Sequence, residues 1–510
     1  MRRDVRWRSN QRAADAGTDG PPRPRQSPAP GDETWSPVGH GNGSLRAPAR
    51  METYERSGVS RSTPHWLAML AVGAALTAVV ACSGRGGDRT GEPAAATTTR
   101  PTGTEYKVPA THPSDWGAPE VELPEAPRPY GPSPAATADP AFYDVTTLDA
   151  EAIAAAEPGA VLRSEPVSLT GPLTGASGWR ILYRSTTAAD TSAVVSGMVL
   201  APDGSAPPDG RPVAAWAHGT TGIADRCAPS ATSNLFYDDY AAEARRLLDQ
   251  GFVVAATDYH GLGTPGVHSY HVSDELALAT VDSVAAAHRI DAVGPLTRSW
   301  VVVGHSEGGL AALAVDQRAD EVLPGLDYRG AVVAAPSAQL GSVAAAMFAV
   351  PEGRGYAALL LEAAAELNPS LDPAVALQPA ATAREALLTH GCWEEAVPGF
   401  ADLDATEMLA SLEVGELLGK VLDTCCASDP KAALGPLLVV HGEADQPLPA
   451  ELTAGLVKDL CAAGVTVEYR TYPGADHDEV MAASGEDGRR WLADRLDGVD
   501  PPSNCATAAH

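Results

Sequence analysis

The sequence predicts an α/β fold, a mostly parallel central sheet flanked by helices with a helical insertion near its end. Three observations carry this. Apolar runs of strand length recur at residues 213–217, 300–303, 330–334 and 437–440, with little alternation, as expected of strands buried on both faces of a parallel sheet. Several of them lead into loops rich in Gly and other turn formers, and helix-like stretches follow. Residues of about 338–432 then run Ala-, Leu- and Glu-rich with helical character, broken at Pro369, Pro373, Pro398 and Gly399.

In chain order, residues 1–50 are rich in Arg, Pro and Gly and are expected to be a disordered or non-native extension, with translation beginning at Met51. Residues 66–80 form an uncharged apolar run of 15, short of the roughly 20 that a membrane span needs but right for a signal-peptide core. The run closes on Val79-Val80-Ala81-Cys82, which reads as a bacterial lipobox, so residues 51–82 are expected to be a signal peptide with Cys82 as the lipidated mature N-terminus. Residues 83–140, rich in Gly, Pro, Ala and Thr, are expected to be a disordered tether. Residues 141–510 are the globular domain, with the insertion as a cap.

Within the domain, the run at 300–303 enters Gly304-His305-Ser306-Glu307-Gly308-Gly309, and a helix-like stretch starts at Leu310. Strand, Gly-x-Ser-x-Gly and helix make the nucleophile elbow of an α/β-hydrolase. A serine hydroxyl needs a base, and the base needs an acid to orient it; in this fold they follow the serine in the order acid, then histidine. Asp445 lies on a loop just past the run at 437–440. His477 lies past the alternating run at 465–470. Glu443 and Asp476 compete for the acid, and His218, His260, His268, His271 and His441 for the base, although none of these histidines follows the last strand. Two main-chain N–H donors for an oxyanion are expected from Glu307 and from the loop His218-Gly219-Thr220-Thr221-Gly222, at Thr220, Thr221 or a neighbour.

Ala217-His218-Gly219-Thr220-Thr221-Gly222 with Cys227-Ala228-Pro229-Ser230, residues 257–266, the Ser306 motif and His441-Gly442-Glu443-Ala444-Asp445, in that order, resemble the secretory lipases of fungi and actinobacteria over about residues 140–508. The resemblance implies an α/β-hydrolase core, a helical cap and hydrolysis of acyl lipids, with Ser306, Asp445 and His477 as triad. One departure is Glu307, where glutamine would be unsurprising; a carboxylate turned toward the oxyanion would oppose it. The chain has seven cysteines. With Cys82 lipidated, six remain, allowing 15 pairings. The resemblance suggests Cys227 with Cys392 and Cys461 with Cys505, leaving adjacent Cys425 and Cys426 as a vicinal pair or as free thiols.

A net charge of −29 argues against nucleic-acid binding and against electrostatic adsorption to anionic lipid, leaving the lipid anchor as the expected link to a membrane. No phosphate loop, zinc spacing or dinucleotide fingerprint occurs, and the chemistry calls for no metal or cofactor. The expected partner is an acyl-ester lipid. Three functions fit: a lipase or carboxylesterase, an acyltransferase using the same triad, and a non-catalytic lipid-binding surface lipoprotein.

Overall fold

The computed structural model describes residues 123–126 and 133–508. The expected N-terminal extension, the signal segment with Cys82 and most of the tether lie outside the described residues.

Nine strands form one sheet: β1 Val161–Val167, β2 Ser177–Thr186, β3 Ser192–Ala201, β4 Arg211–Ala217, β5 Val253–Thr257, β6 Leu296–His305, β7 Asp327–Ala334, β8 Leu437–Gly442 and β9 Val467–Tyr472. Their order across the sheet is β1-β2-β3-β5-β4-β6-β7-β8-β9. The first three strands pair antiparallel, and β3 pairs antiparallel with β5. From β5 to β9 every neighbouring pair is parallel, so six strands present their carboxyl ends along one edge. The order doubles back at β4, which lies between β5 and β6; such a switch point opens a crevice outside the strand ends.

The apolar runs are explained by cover on both faces. Val213, Ala215, Val302, Val333 and Val439 pack with helices α2 Ser273–Ala287, α3 Glu307–Asp316 and α6 Ala450–Ala462, whereas the alternating partners Ala214, Trp216, Val301, Val303 and Leu438 pack with α1 Asp238–Asp249 and α7 Glu479–Leu496. The period-2 geometry of a strand divides each run between the two faces. The run expected at 465–470 starts two residues late. Gly464 turns the chain at φ +89° and the Val465 N–H still donates to Leu460 O (3.1 Å), closing α6 before β9 begins.

Between β7 and β8 lies the expected cap, with α4 Pro351–Ala365 and α5 Leu412–Cys425 as its longest helices. Pro369, Pro373 and Pro398 each occupy the first position of a short helical segment, so they start elements as well as ending them. Phe348, Leu359, Leu360, Leu361, Leu387 and Leu388 are buried in the cap's own core, and Met347 is packed against it. Leu412 does not join them: it opens α5 and is 83% exposed.

The ordered domain reaches further back than residue 141. Ser133, within the expected tether, is buried; its N–H donates to Glu395 Oε1 (3.1 Å), and its hydroxyl bonds Glu394 Oε2 (2.8 Å) and also Glu395. Two buried carboxylates need donors, and this otherwise unremarkable serine supplies them. Leu123 and Ala126 pack against the cap core.

Candidate active site

Ser306 directly follows β6 and caps α3 with φ 58° and ψ −116°, a strained geometry for a residue with a side chain. Its N–H continues the ladder to Ala334 O (3.0 Å), while its own carbonyl accepts from Leu310 N (3.2 Å), Ser337 N (3.1 Å) and Ser337 Oγ (3.2 Å). The glycines of the motif are steric requirements. A Cβ on Gly304 would lie 1.9 Å from Gly308 O, and one on Gly308 would lie 1.9 Å from Ala217 O. The elbow is thereby pressed against the end of β4.

The two downstream loops converge on Ser306. His477 Nε2 lies 2.9 Å from Ser306 Oγ, and His477 Nδ1 lies 2.7 Å from Asp445 Oδ2. Asp445 Oδ1 accepts from Leu448 N (2.8 Å). His441 Nε2 faces Leu448 O (2.8 Å) and Asp445 Oδ2 (3.0 Å). Since a carbonyl only accepts, His441 Nε2 carries the proton and donates to both. By the same reasoning His305 Nε2 donates to His477 O (2.8 Å), holding the histidine loop against the residue that precedes the serine.

The electrostatics follow. Burial alone would raise the Asp445 carboxyl, but the hydrogen bonds from His441 and His477 outweigh it and bring it down to about 2. Burial would lower His477, yet its hydrogen bond to Asp445 and that residue's charge hold it above the usual histidine value. His305 is pushed down to about 3, first by burial and then by His477 beside it, so it stays neutral.

The competing residues have other engagements. Asp476 accepts the N–H groups of Asp478 (3.1 Å) and Glu479 (2.9 Å) at the start of α7, and Glu443 accepts from Thr471 Oγ1 (2.7 Å). His271 Nε2 faces Ser337 Oγ (2.7 Å), and His268 Nε2 faces Glu307 Oε1 (3.2 Å). His260 Nδ1 is 3.8 Å from Glu275 Oε2, and His218 Nδ1 faces Gly219 O (2.7 Å).

The loop after β4 lies beside the nucleophile, since a Cβ on Gly219 would sit 3.2 Å from Ser306 Cβ. Three contacts fix this loop. Tyr259 Oη donates to His218 O (3.0 Å), Tyr270 Oη bonds Thr220 Oγ1 (2.8 Å), and Thr221 O accepts from the cap's Trp393 N (2.9 Å). Glu307 is the first residue of α3, where a main-chain N–H has no partner within the helix. Its side chain is fully buried and engaged with His268.

Cys227 pairs with Cys392, joining the segment after this loop to the cap, and Cys461 pairs with Cys505. Cys425 and Cys426 form a vicinal disulfide at the end of α5. Sequence reasoning left three positions without the parts they play here. His305 and Ser337 drew no notice, although His305 adjoins the serine in the chain. His441 was weighed only as a base, although it stands four residues before Asp445.

A serine at a strand-to-helix elbow, a histidine and an acid on later loops, and a largely parallel sheet together define an α/β-hydrolase. Solved structures agree on the fold. The chain is similar to Candida antarctica lipase A, with a TM-score of 0.61 and 19% identity over 73% of this chain and 90% of that one. It is also similar to the rice cell wall degrading esterase LipA from Xanthomonas oryzae, at TM-score 0.56 and 18% identity over 68% of this chain and 100% of that one. Among curated proteins it is 24% identical over 377 residues to "Probable inactive lipase MT1628" of Mycobacterium tuberculosis (strain CDC 1551 / Oshkosh), covering 67% of this chain and 79% of the relative. The family model for secretory lipase matches residues 227–504, and the chain belongs to that family.

Proposed function

We propose that the protein is a secreted, membrane-anchored ester hydrolase, a lipase or carboxylesterase, working through Ser306, His477 and Asp445. The observation that carries this is the continuous relay from Ser306 Oγ to His477 Nε2 (2.9 Å) and from His477 Nδ1 to Asp445 Oδ2 (2.7 Å). His477 takes the Ser306 proton as the hydroxyl attacks the ester carbonyl, and Asp445 stabilises the imidazolium that results. The Glu307 N–H and one from Thr220 or Thr221 hold the oxyanion. The alcohol leaves with the proton from His477, and water attacks the acyl-enzyme by the reverse route. Export is supported by three disulfides among the described residues, since such bonds persist in oxidising compartments. Anchoring rests on the lipobox at Cys82; fatty-acid labelling that is unchanged by Cys82→Ser would refute it.

The test of the chemistry is hydrolysis of p-nitrophenyl esters from acetyl to palmitoyl, with Ser306→Ala alongside. Loss of kcat by about 10⁶-fold in the variant is expected. Activity that survives Ser306→Ala would reject the assignment, and the chain-length optimum separates lipase from small-ester esterase. A relative named as an inactive lipase raises a second reading, a lipid binder on a hydrolase scaffold. A fluorophosphonate probe decides between them, because a binder would leave Ser306 unlabelled.

A further inference from the structure

The residue after the nucleophile is a fully buried glutamate, and the hydrolase reading gives its side chain no work. Its environment suggests some. Glu307 Oε1 lies 3.2 Å from His268 Nε2, with both side chains shut away from solvent. His268 Nδ1 lies 3.0 Å from His260 O, and because a carbonyl only accepts, that nitrogen carries a proton. Burial would raise the Glu307 carboxyl, but His268, followed by His271 and His218, holds it below the usual glutamate value. Burial brings His218 and His271 themselves down to about 4, against the charge of Glu307. His268 thus bridges the His260 carbonyl and the Glu307 carboxyl within the buried interior.

His268 also stands between the two segments that would hold the oxyanion. Tyr259 stacks on its ring, with centroids 6.0 Å apart and planes at 11°, and the Tyr259 hydroxyl holds His218 O (3.0 Å). Tyr270 packs against it at 5.8 Å, and its hydroxyl holds Thr220 Oγ1 (2.8 Å). One ring therefore reaches the start of α3 through the Glu307 carboxyl and the loop after β4 through two tyrosines.

We propose that His268, paired with Glu307, is a positioning residue that sets the Glu307 N–H and the Thr220 loop at a fixed separation, and that the pair draws the glutamate's charge away from the oxyanion. The inference rests on the hydrolase reading above.

The experiment measures kcat, KM and thermal unfolding for His268→Gln, Glu307→Gln and the double variant on the preferred p-nitrophenyl ester. His268→Gln leaves the buried Glu307 carboxyl facing a shorter amide in place of the ring. It should lower kcat on the order of 10- to 100-fold, a share of the 10²–10³ lost when an oxyanion donor is deleted. KM should change far less. Adding Glu307→Gln should recover most of the loss, because two amides pair without charge. Equal kcat in the single and double variants, or independent effects that simply multiply, would overturn the proposal. If His268→Gln does not fold, Tyr270→Phe serves instead. It removes one hydroxyl from the same path and should lower kcat several-fold at constant KM; an unchanged kcat there would also overturn the proposal. A wild-type protein that hydrolyses no ester would instead sink the hydrolase reading, and this inference with it.

Discussion

At the scale of single residues, the site is governed by where protons sit. In the proposed hydrolysis His477 must be neutral to accept the Ser306 proton, and its bond to Asp445 holds it above the ordinary value near 6.5. Thus kcat/KM should fall as pH drops through a value above 6.5, read directly from a pH–rate profile. Asp445→Asn removes the charge that raises His477 and leaves burial, which lowers it. The variant should lose about 10⁴-fold in kcat, and its residual activity should persist to lower pH than in the wild type. A residual profile with an unmoved midpoint would mean that Asp445 does not set the titration of His477. Stability carries the opposite sign for the two partners. The raised His477 contributes stability that is complete below its unfolded value and fades as pH rises through its folded one. Asp445, down at about 2, contributes above its unfolded value, near 3.9, and loses that as pH falls toward 2.

At the scale of elements, the elbow and the cap make separate demands. Gly308→Ala would put a Cβ 1.9 Å from Ala217 O, which is main chain and cannot swing aside. Parting β4 from α3 should cost about 3 kcal/mol or more, measured by urea unfolding, and activity should fall with it. The Cys227–Cys392 bridge closes a loop between residues 165 apart in sequence and ends beside Trp393, whose N–H holds Thr221 O. Replacing both cysteines by serine should cost about 2–5 kcal/mol in stability. It should also lower kcat more than it raises KM, because the same cap turn braces the loop beside Ser306. A change in KM alone would limit the bridge to holding the cap. These elements also mark what could be read from the chain. The runs at 213–217, 300–303, 330–334 and 437–440 announce themselves because both faces are covered and the side chains are largely apolar, whereas β9 shows by its alternation. The antiparallel strands β1 to β3 carry charged and polar residues such as Arg163, Glu165, Arg180 and Arg184, and they were not anticipated. Ser306, Asp445 and His477 were legible because each follows a strand, in a fixed chain order. The pairing of Glu307 with His268 was not, because it joins residues 39 apart that come together only when the loop 258–271 folds back over α3.

At the scale of the whole molecule, charge governs which surfaces the enzyme can approach. The chain carries 65 acidic and 36 basic residues, and no helix among the described residues is long and apolar enough to cross a membrane. A protein so charged meets a neutral interface without penalty but is repelled by an anionic one. The repulsion is long-ranged and screened by salt, with a Debye length of about 10 Å at 0.1 M and about 3 Å at 1 M. The residues around Ser306 are buried or anchored by hydrogen bonds, so salt has little purchase on the chemical step. Hydrolysis of a neutral ester emulsion by residues 133–510 should therefore change little between those salt concentrations. The same emulsion doped with anionic lipid should be hydrolysed more slowly at 0.1 M, and the deficit should close toward 1 M. Rates that fall with salt on the anionic emulsion would point instead to a basic docking surface, which the charge balance of the chain speaks against.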